Sequence, residues 1–383
     1  MSEPATIPPE PKRGLLYRLI TGVVLGIVRS IYKVKAVNPE RVPQGGGVLM
    51  LSNHVSYVDA LVLATACPRA VRFVMWDVLY QVWWMNPFLR FVGTVPISPT
   101  RAKDAVRSVA TALTEGGLVA LFPEGQITRH GMVNELRKGY ELMARQGGAK
   151  VLPVWMDGLY GSIFSFQGGR FFKKCPAHLR YPVTIFFGEP LDAKTATAET
   201  VREIMLTMSE QAMKHRAQWN GETPRANALR LRDAEWHRQG DVFLCLEESG
   251  SVIHRTVHEL AHLLPGTKII ENASQAAGAP QIAFCSPESL SKLTGKERLV
   301  FCWSSNAAQI AALDAPNVLR GHFDANGLLI SSDVPTPPMP KGEEDLQKGH
   351  KPGTLGRILP GLSPKSLPAG LKLDAEGFVV AVS

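Results

Sequence analysis

The sequence predicts an α/β fold: a mostly parallel or mixed sheet flanked by helices, followed by a smaller α/β region. Three observations carry that expectation. From Val48 to His215, short apolar runs alternate with helical stretches of about ten residues, the pattern of strands crossed over by helices. Glycine and proline number 34 and 28 among 383 residues, which implies many turns and short elements. The composition is 45% hydrophobic and 20% charged, which excludes wholesale disorder and fibrous architectures.

Residues 1–14 are polar and proline-rich and read as a disordered leader, not a signal peptide. Residues 15–38 read as one amphipathic, membrane-associated helix, with Leu15, Leu19, Val23 and Ile27 at helical spacing and Arg18 and Arg29 among them. Its longest uncharged run, Leu19 to Val28, is ten residues, where a bilayer span needs about twenty. A basic apolar helix flanked by Tyr17 and Tyr32 suits a membrane interface, and it equally suits packing on the domain behind it.

Residues 39–215 carry the main domain. VLML (48–51) reads as a strand ending at Ser52-Asn53-His54, and Val58 to Ala66 as a helix stopped by Pro68. VRFVM (71–75) is a second strand, followed by an aromatic-rich segment to Phe91. Ala102 to Leu113 is a helix ended by Gly116-Gly117, and LVALF (118–122) is a strand. Leu136 to Arg145 is a helix closed by Gly147-Gly148. VLPVW (151–155) and VTIFFG (183–188) are strands, and Thr197 to His215 closes the domain as a helix. Residues 216–233 are polar and read as a linker. Residues 234–383 read as a small C-terminal α/β region with strands at 241–246, 268–272, 281–284 and 299–303 and a flexible loop at 335–353.

No run of eighteen uncharged apolar residues occurs, which excludes a polytopic membrane protein. Lysine and arginine outnumber acidic residues 42 to 34, a surplus of +8. Lys12, Arg13, Arg18, Arg29, Lys33 and Lys35 crowd the first 35 residues, a placement that favours anionic lipid, and no nucleic-acid motif accompanies it. The five cysteines are widely spaced with no CxxC pair, which reads as reduced thiols in a cytosolic setting.

Three constellations can carry chemistry. In NHVSYVD, His54 follows a strand directly and Asp59 lies five residues on, within reach of one imidazole nitrogen. A carboxylate there fixes the tautomer and raises the basicity of the other nitrogen, which can then accept a proton from an alcohol. No nucleophile elbow accompanies it, so the expected chemistry is direct general-base catalysis. In LVALFPEGQITRHG, a strand ends at Pro123-Glu124-Gly125 with Arg129 and His130 beyond, a glycine turn with a basic clamp suited to phosphate. In ISPTRAKD, Arg101 and Lys103 stand at a helix N-terminus, a natural anion position. A competing signal is HELAH at 258–262, whose His258 and His262 lie one helical turn apart with Glu259 as would-be base, the zinc-hydrolase pattern.

Taken together, NHVSYVD (53–59), GTVPISP (93–99), FPEGQIT (122–128) and LPV (152–154) resemble the four-block signature of the glycerolipid acyltransferase family, in order and spacing. The resemblance covers roughly residues 15–215. It implies the acyltransferase fold, with His54 as general base on the acceptor hydroxyl and Asp59 as its orienting partner. It further implies Asn53, Arg101, Lys103, Glu124, Gly125 and Arg129 around the substrate, and Pro153 on a strand supporting the acyl-donor region. The implied donor is acyl-ACP or acyl-CoA, and the implied acceptor is a lysophospholipid or a glycerol-phosphate lipid. No cofactor and no metal are expected. The implied location is peripheral, on the cytoplasmic side of the inner membrane, with Trp83, Trp84, Phe88, Phe164, Phe166, Phe171 and Phe172 as candidates for a membrane-facing or acyl-lining rim. The chain departs from the family at Pro99, where an arginine is usual, and at Gln126, which leaves Arg129 as the nearest basic residue after Gly125. FPEGQITRHG, IFSFQGGRFF (163–172) and YPVTIFFGEPL (181–191) look like the branch in which an AMP-forming acyl ligase follows the acyltransferase. KPGTLGRILPGL (351–362) resembles a late ligase segment, yet the ligase's phosphate loop is absent, so the tail reads as a degenerate remnant with no adenylation. The departures leave a second reading open, a membrane-associated scaffold without turnover.

Overall fold

The structure is a computed structural model that describes residues 14–83, 85–98, 101–167, 171–172, 179–217, 223–233, 241–264, 266–276, 281–315, 317–335 and 347–382. Residues 1–13 of the 1–14 leader, Trp84, Pro99, Cys175 and most of the 335–353 loop lie outside them. The chain divides into two compact units. The first comprises the described residues to Ile127, Leu136–Ser165 and Phe172–Met208; the second comprises Thr128–Glu135, Phe166–Phe171 and those from Ser209 onward.

The first unit opens with helix α1 (Leu15–Ile31) and strand β1 (Tyr32–Val37). It continues through β2 (Val48–Ser52), α2 (Asp59–Ala66), β3 (Val71–Trp76), α3 (Asn86–Phe91), β4 (Val95–Ile97) and α4 (Ala102–Thr114). Then follow β5 (Leu118–Leu121), α5 (Gly139–Gln146), β6 (Lys150–Asp157), β7 (Tyr181–Phe187) and α6 (Ala198–Ala217), which runs on past Met208. The sheet order is β1-β7-β6-β2-β5-β3-β4. Strands β6, β2, β5, β3 and β4 are parallel, while β7 pairs antiparallel to β6 and parallel to β1. Every residue of β2 is buried, which is why it reads as a continuous apolar run instead of alternating. Val48, Met50, Ala120, Leu152, Val154, Val183 and Phe187 belong to one buried core with Val62 and Leu63 of α2.

The expected 15–38 helix ends at Ile31. Tyr32, Val34 and Ala36 alternate with Lys33 and Lys35, and this period of two makes a strand that pairs with β7 from Tyr32↔Tyr181 to Val37↔Phe186. Helix α1 buries only Val28; Leu15, Leu19, Val23, Ile27 and Ile31, each four residues from the last, form an exposed apolar stripe. Arg29 donates to the Thr65 carbonyl at 2.9 Å, and Tyr17 packs on Phe91 with centroids 5.4 Å apart, so the opposite side of α1 is held to its own unit. Among the described residues no helix is long and apolar enough to cross a membrane.

The second unit contains α7 (Thr223–Asp233), which replaces the second half of the expected linker at 216–233. Pro224 fits the first turn of a helix, and Ala226, Ala228 and Leu231 are buried. The fully buried Asn227 donates to the Gly327 carbonyl at 2.9 Å and accepts from the Leu329 N–H at 2.8 Å. Beyond it lie β8 (Val242–Cys245), α8 (Val252–Leu263), β9 (Lys268–Ile270), β10 (Gln281–Cys285), β11 (Leu299–Ser304), α9 (Ala307–Ala312) and β12 (Val318–Phe323). Strands β13 (Leu329–Ser332) and β14 (Arg357–Ile358) complete a sheet of order β14-β13-β12-β11-β10-β8-β9, parallel from β9 to β12. A small antiparallel pair, β15 (Leu371–Leu373) and β16 (Val379–Ala381), ends the chain.

Candidate active site

In the first unit, parallel strands β2, β5 and β4 all finish at one edge of the sheet, where loops of open α/β sheets bind ligands. His54 leaves the end of β2 and Glu124 the end of β5. Asp59 is the first residue of α2, placed by the short turn that joins β2 to the helix. Its Oδ2 lies 2.8 Å from His54 Nδ1 and accepts the backbone N–H groups of Val55 at 2.7 Å and Ser56 at 3.0 Å. An ionised carboxylate only accepts, so His54 Nδ1 carries the proton and its Nε2 presents a lone pair. Asp59 is fully buried and His54 retains 21% exposure, so the base is reachable while its anchor is not.

Burial pushes the Asp59 carboxyl above its ordinary range, against the opposing pull of His54 and the two backbone N–H groups. Its Oδ1 is buried without a hydrogen-bond partner, so the acceptor capacity is concentrated on the oxygen facing His54. The imidazole lies flat on Phe122, centroids 4.1 Å apart and planes 13° from parallel, which fixes its remaining rotation.

Two residues expected at the substrate, Asn53 and Glu124, also hold His54 in place. Asn53 is buried, donates to the Met156 carbonyl at 3.0 Å and accepts the Met156 N–H at 2.7 Å, tying the end of β2 to β6. Glu124 is 3% exposed and accepts the His54 backbone N–H at 3.0 Å. A buried carboxylate beneath a main-chain N–H is well placed to fix the end of β2. Gly125 takes φ +73°, and a Cβ there would meet Arg137 Nε at 2.9 Å, so the absence of a side chain lets a guanidinium lie over the turn.

Arg137, which the sequence reading did not single out, lies over Gly125. Its backbone N–H donates to the Pro123 carbonyl at 2.9 Å, which folds the chain back so that its side chain covers Gly125. Arg129, the expected clamp, falls in the second unit, where it is buried and its N–H donates to Gln347 Oε1 at 2.7 Å. Arg101 stands at the N-cap position of α4 without a side-chain cap and is ion-paired with Asp77 at 3.2 Å, while Lys103 is exposed in the first turn of α4. Pro153 sits within β6 opposite Leu51.

Beside His54, the Tyr57 N–H donates to the Phe164 carbonyl at 3.2 Å and the Phe172 N–H to the Ile163 carbonyl at 2.8 Å. Tyr57 stacks on Phe172, and Phe164 meets Phe172 edge-on, which builds an aromatic rim with Tyr57 58% and Phe172 62% exposed. Trp83 is 84% exposed, whereas Phe166 and Phe171 pair with each other in the second unit.

Residues 33–157, which contain all four sequence blocks and the His54–Asp59 pair, match the family described as Acyltransferase. A 1-acyl-sn-glycerol-3-phosphate acyltransferase of Borreliella burgdorferi is 26% identical over 127 residues, 32% of this chain and 50% of that protein. A 1-acyl-sn-glycerol-3-phosphate acyltransferase alpha of Mus musculus is 28% identical over 172 residues, 42% of this chain and 58% of that protein. The chain spans about half the length of the curated relatives it matches. The crystal structure of the 1-acyl-sn-glycerophosphate (LPA) acyltransferase, PlsC, from Thermotoga maritima aligns over 55% of this chain and 85% of that one, with TM-score 0.43 and 20% identity.

Proposed function

We propose that this protein transfers a fatty acyl group from an acyl thioester to the free hydroxyl of a 1-acylglycerol-3-phosphate or another lysophospholipid. The observation that carries this reading is the His54–Asp59 contact of 2.8 Å at the end of β2, with its free imidazole nitrogen on the reachable side. His54 Nε2 takes the hydroxyl proton as the oxygen attacks the thioester carbonyl. The tetrahedral intermediate collapses with cleavage of the carbon–sulfur bond, and the imidazolium returns its proton to the departing thiolate. An ester and a free thiol result, with no acyl-enzyme. Asp59 stabilises the imidazolium, and Glu124 and Asn53 hold His54 by its main chain.

Arg137 over Gly125 suits the acceptor's phosphate, and the Tyr57–Phe172 rim suits an acyl chain. The exposed stripe of α1, with Arg18 and Arg29 on the same helix, supports docking on an anionic membrane surface, the cytoplasmic side of the inner membrane in this reading. The donor is acyl-ACP or acyl-CoA. The parallel sheet of the second unit and KPGTLGRILPGL support the ligase-like descent of residues 234–383, without adenylation. The test is labelled acyl transfer from each donor to lysophosphatidate, other lysophospholipids and neutral monoacylglycerol, presented in vesicles. Transfer that prefers a phosphate-bearing acceptor and disappears in His54→Ala but survives in Glu259→Ala supports the reading; no transfer to any acceptor by folded, vesicle-bound protein overturns it and favours the scaffold.

A further inference from the structure

The HELAH pattern has no part in the His54 chemistry, and its helix lines a cavity of about 600 Å³ in the second unit. His254, Arg255, His258 and Glu259 of α8 face it together with Asn326, while Pro224 and Val252 supply an apolar wall. We propose that this cavity binds a small organic anion, with an oxyanion group held by His254, Arg255 and His258 and an apolar body against Pro224 and Val252.

Charge and hydrogen bonding favour an anion over the zinc ion that the sequence pattern suggests. Glu259, the acid of the wall, is paired with Arg225 Nη1 at 2.9 Å, which offsets part of its charge. Among the described residues no three His, Cys, Asp or Glu side chains converge on a metal position. The rings of His254 and His258 lie 4.3 Å apart, one turn along the helix. The Nε2 of His258 is buried with no hydrogen-bond partner, a cost that a ligand oxygen would offset. Both histidines and Arg255 occupy the first two turns of α8, the positive end of its dipole. Burial first, then His254 and His262, lower the His258 pKa, and Glu271 opposes them only in part. The volume falls in the range of small-molecule sites, roughly 300–1,000 Å³, and exceeds what an inorganic ion fills.

The test is a titration of the full chain, carrying labelled histidine, with phenyl phosphate and with inorganic phosphate, read by NMR. The expected result is a saturable shift at His254 and His258, tighter for phenyl phosphate, with the His258 titration midpoint raised when it is bound. Arg255→Gln, at an exposed position, weakens binding at least about tenfold with an unchanged melting temperature, and His258→Gln serves as the second variant. No saturable shift at either histidine, or Arg255→Gln binding as tightly as wild type, overturns the proposal. So does a saturable response to Zn²⁺ with none to phenyl phosphate.

Discussion

Replacing Asp59 by Asn separates the charge of the dyad from its shape. In the wild type, one buried carboxylate oxygen serves His54 Nδ1 and two backbone N–H groups. An Asn carbonyl in that place still accepts all three, so the ring and the turn keep their positions. The loss is the negative charge facing the imidazolium that forms during proton transfer. A unit charge at about 4 Å contributes about 4 kcal/mol at an effective dielectric constant of 20. At 1.36 kcal/mol per decade, kcat falls about 10³-fold. Stability moves far less, because two terms oppose. The Asn amide NH₂ occupies the unpartnered Oδ1 position and costs about 1–3 kcal/mol, while the burial cost of the ionised carboxylate disappears. The assays are steady-state acyl transfer at saturating substrates and thermal melting. Full folding with kcat within tenfold of wild type refutes the role given to Asp59.

The same group sets a pH dependence. Its folded pKa is raised by burial, so it contributes stability that is present in acid and lost as pH rises through that folded value. Acidification therefore removes the Asp59 charge, and with it activity, above the ordinary carboxylate range without this group unfolding the protein; a rate profile beside a melting profile checks it. Glu124→Ala removes the carboxylate under the His54 N–H and lowers kcat about 10- to 100-fold, with the acceptor KM little changed. Gly125→Ala places a Cβ against Arg137 in a left-handed turn, costs about 1–2 kcal/mol of stability, and raises KM for a phosphate-bearing acceptor. Arg137→Ala raises that KM alone, and acceptor-dependent kinetics distinguish the two. Leu19→Glu with Val23→Glu leaves the melting temperature unchanged, since both side chains are exposed, and weakens binding to anionic vesicles about 100-fold by sedimentation.

The His54–Asp59 pair was legible because its geometry is local: five residues across one strand-to-helix turn determine it. The central strands were legible because burial on both faces writes itself as an unbroken apolar run. Strand β1 was not, because six residues with two lysines at the end of a helical stretch carry too little signal until β7, about 150 residues on, supplies the pairing. Helix α7 hid behind a polar composition; the proline near its start and the spaced alanines were the available cue. The hydrogen bond of Glu124 to the His54 main chain was not legible, since its partner lies 70 residues away in sequence. Arg137 was missed because a search for the next arginine after Gly125 stops at Arg129, whereas the chain folds back through the Arg137–Pro123 bond. The Arg137-Lys138 pair before α5 was the signal that could have found it.

The central claim is that His54 is the general base of an acyl transfer. The most direct measurement compares wild type with His54→Ala for transfer of a labelled acyl group from acyl-CoA and from acyl-ACP to lysophosphatidate in anionic vesicles, with folding and vesicle binding checked in parallel. The account predicts ester and free thiol in equal amounts from wild type and a loss of at least about 10²-fold in the variant, with binding intact. Equal turnover by the two proteins would contradict it.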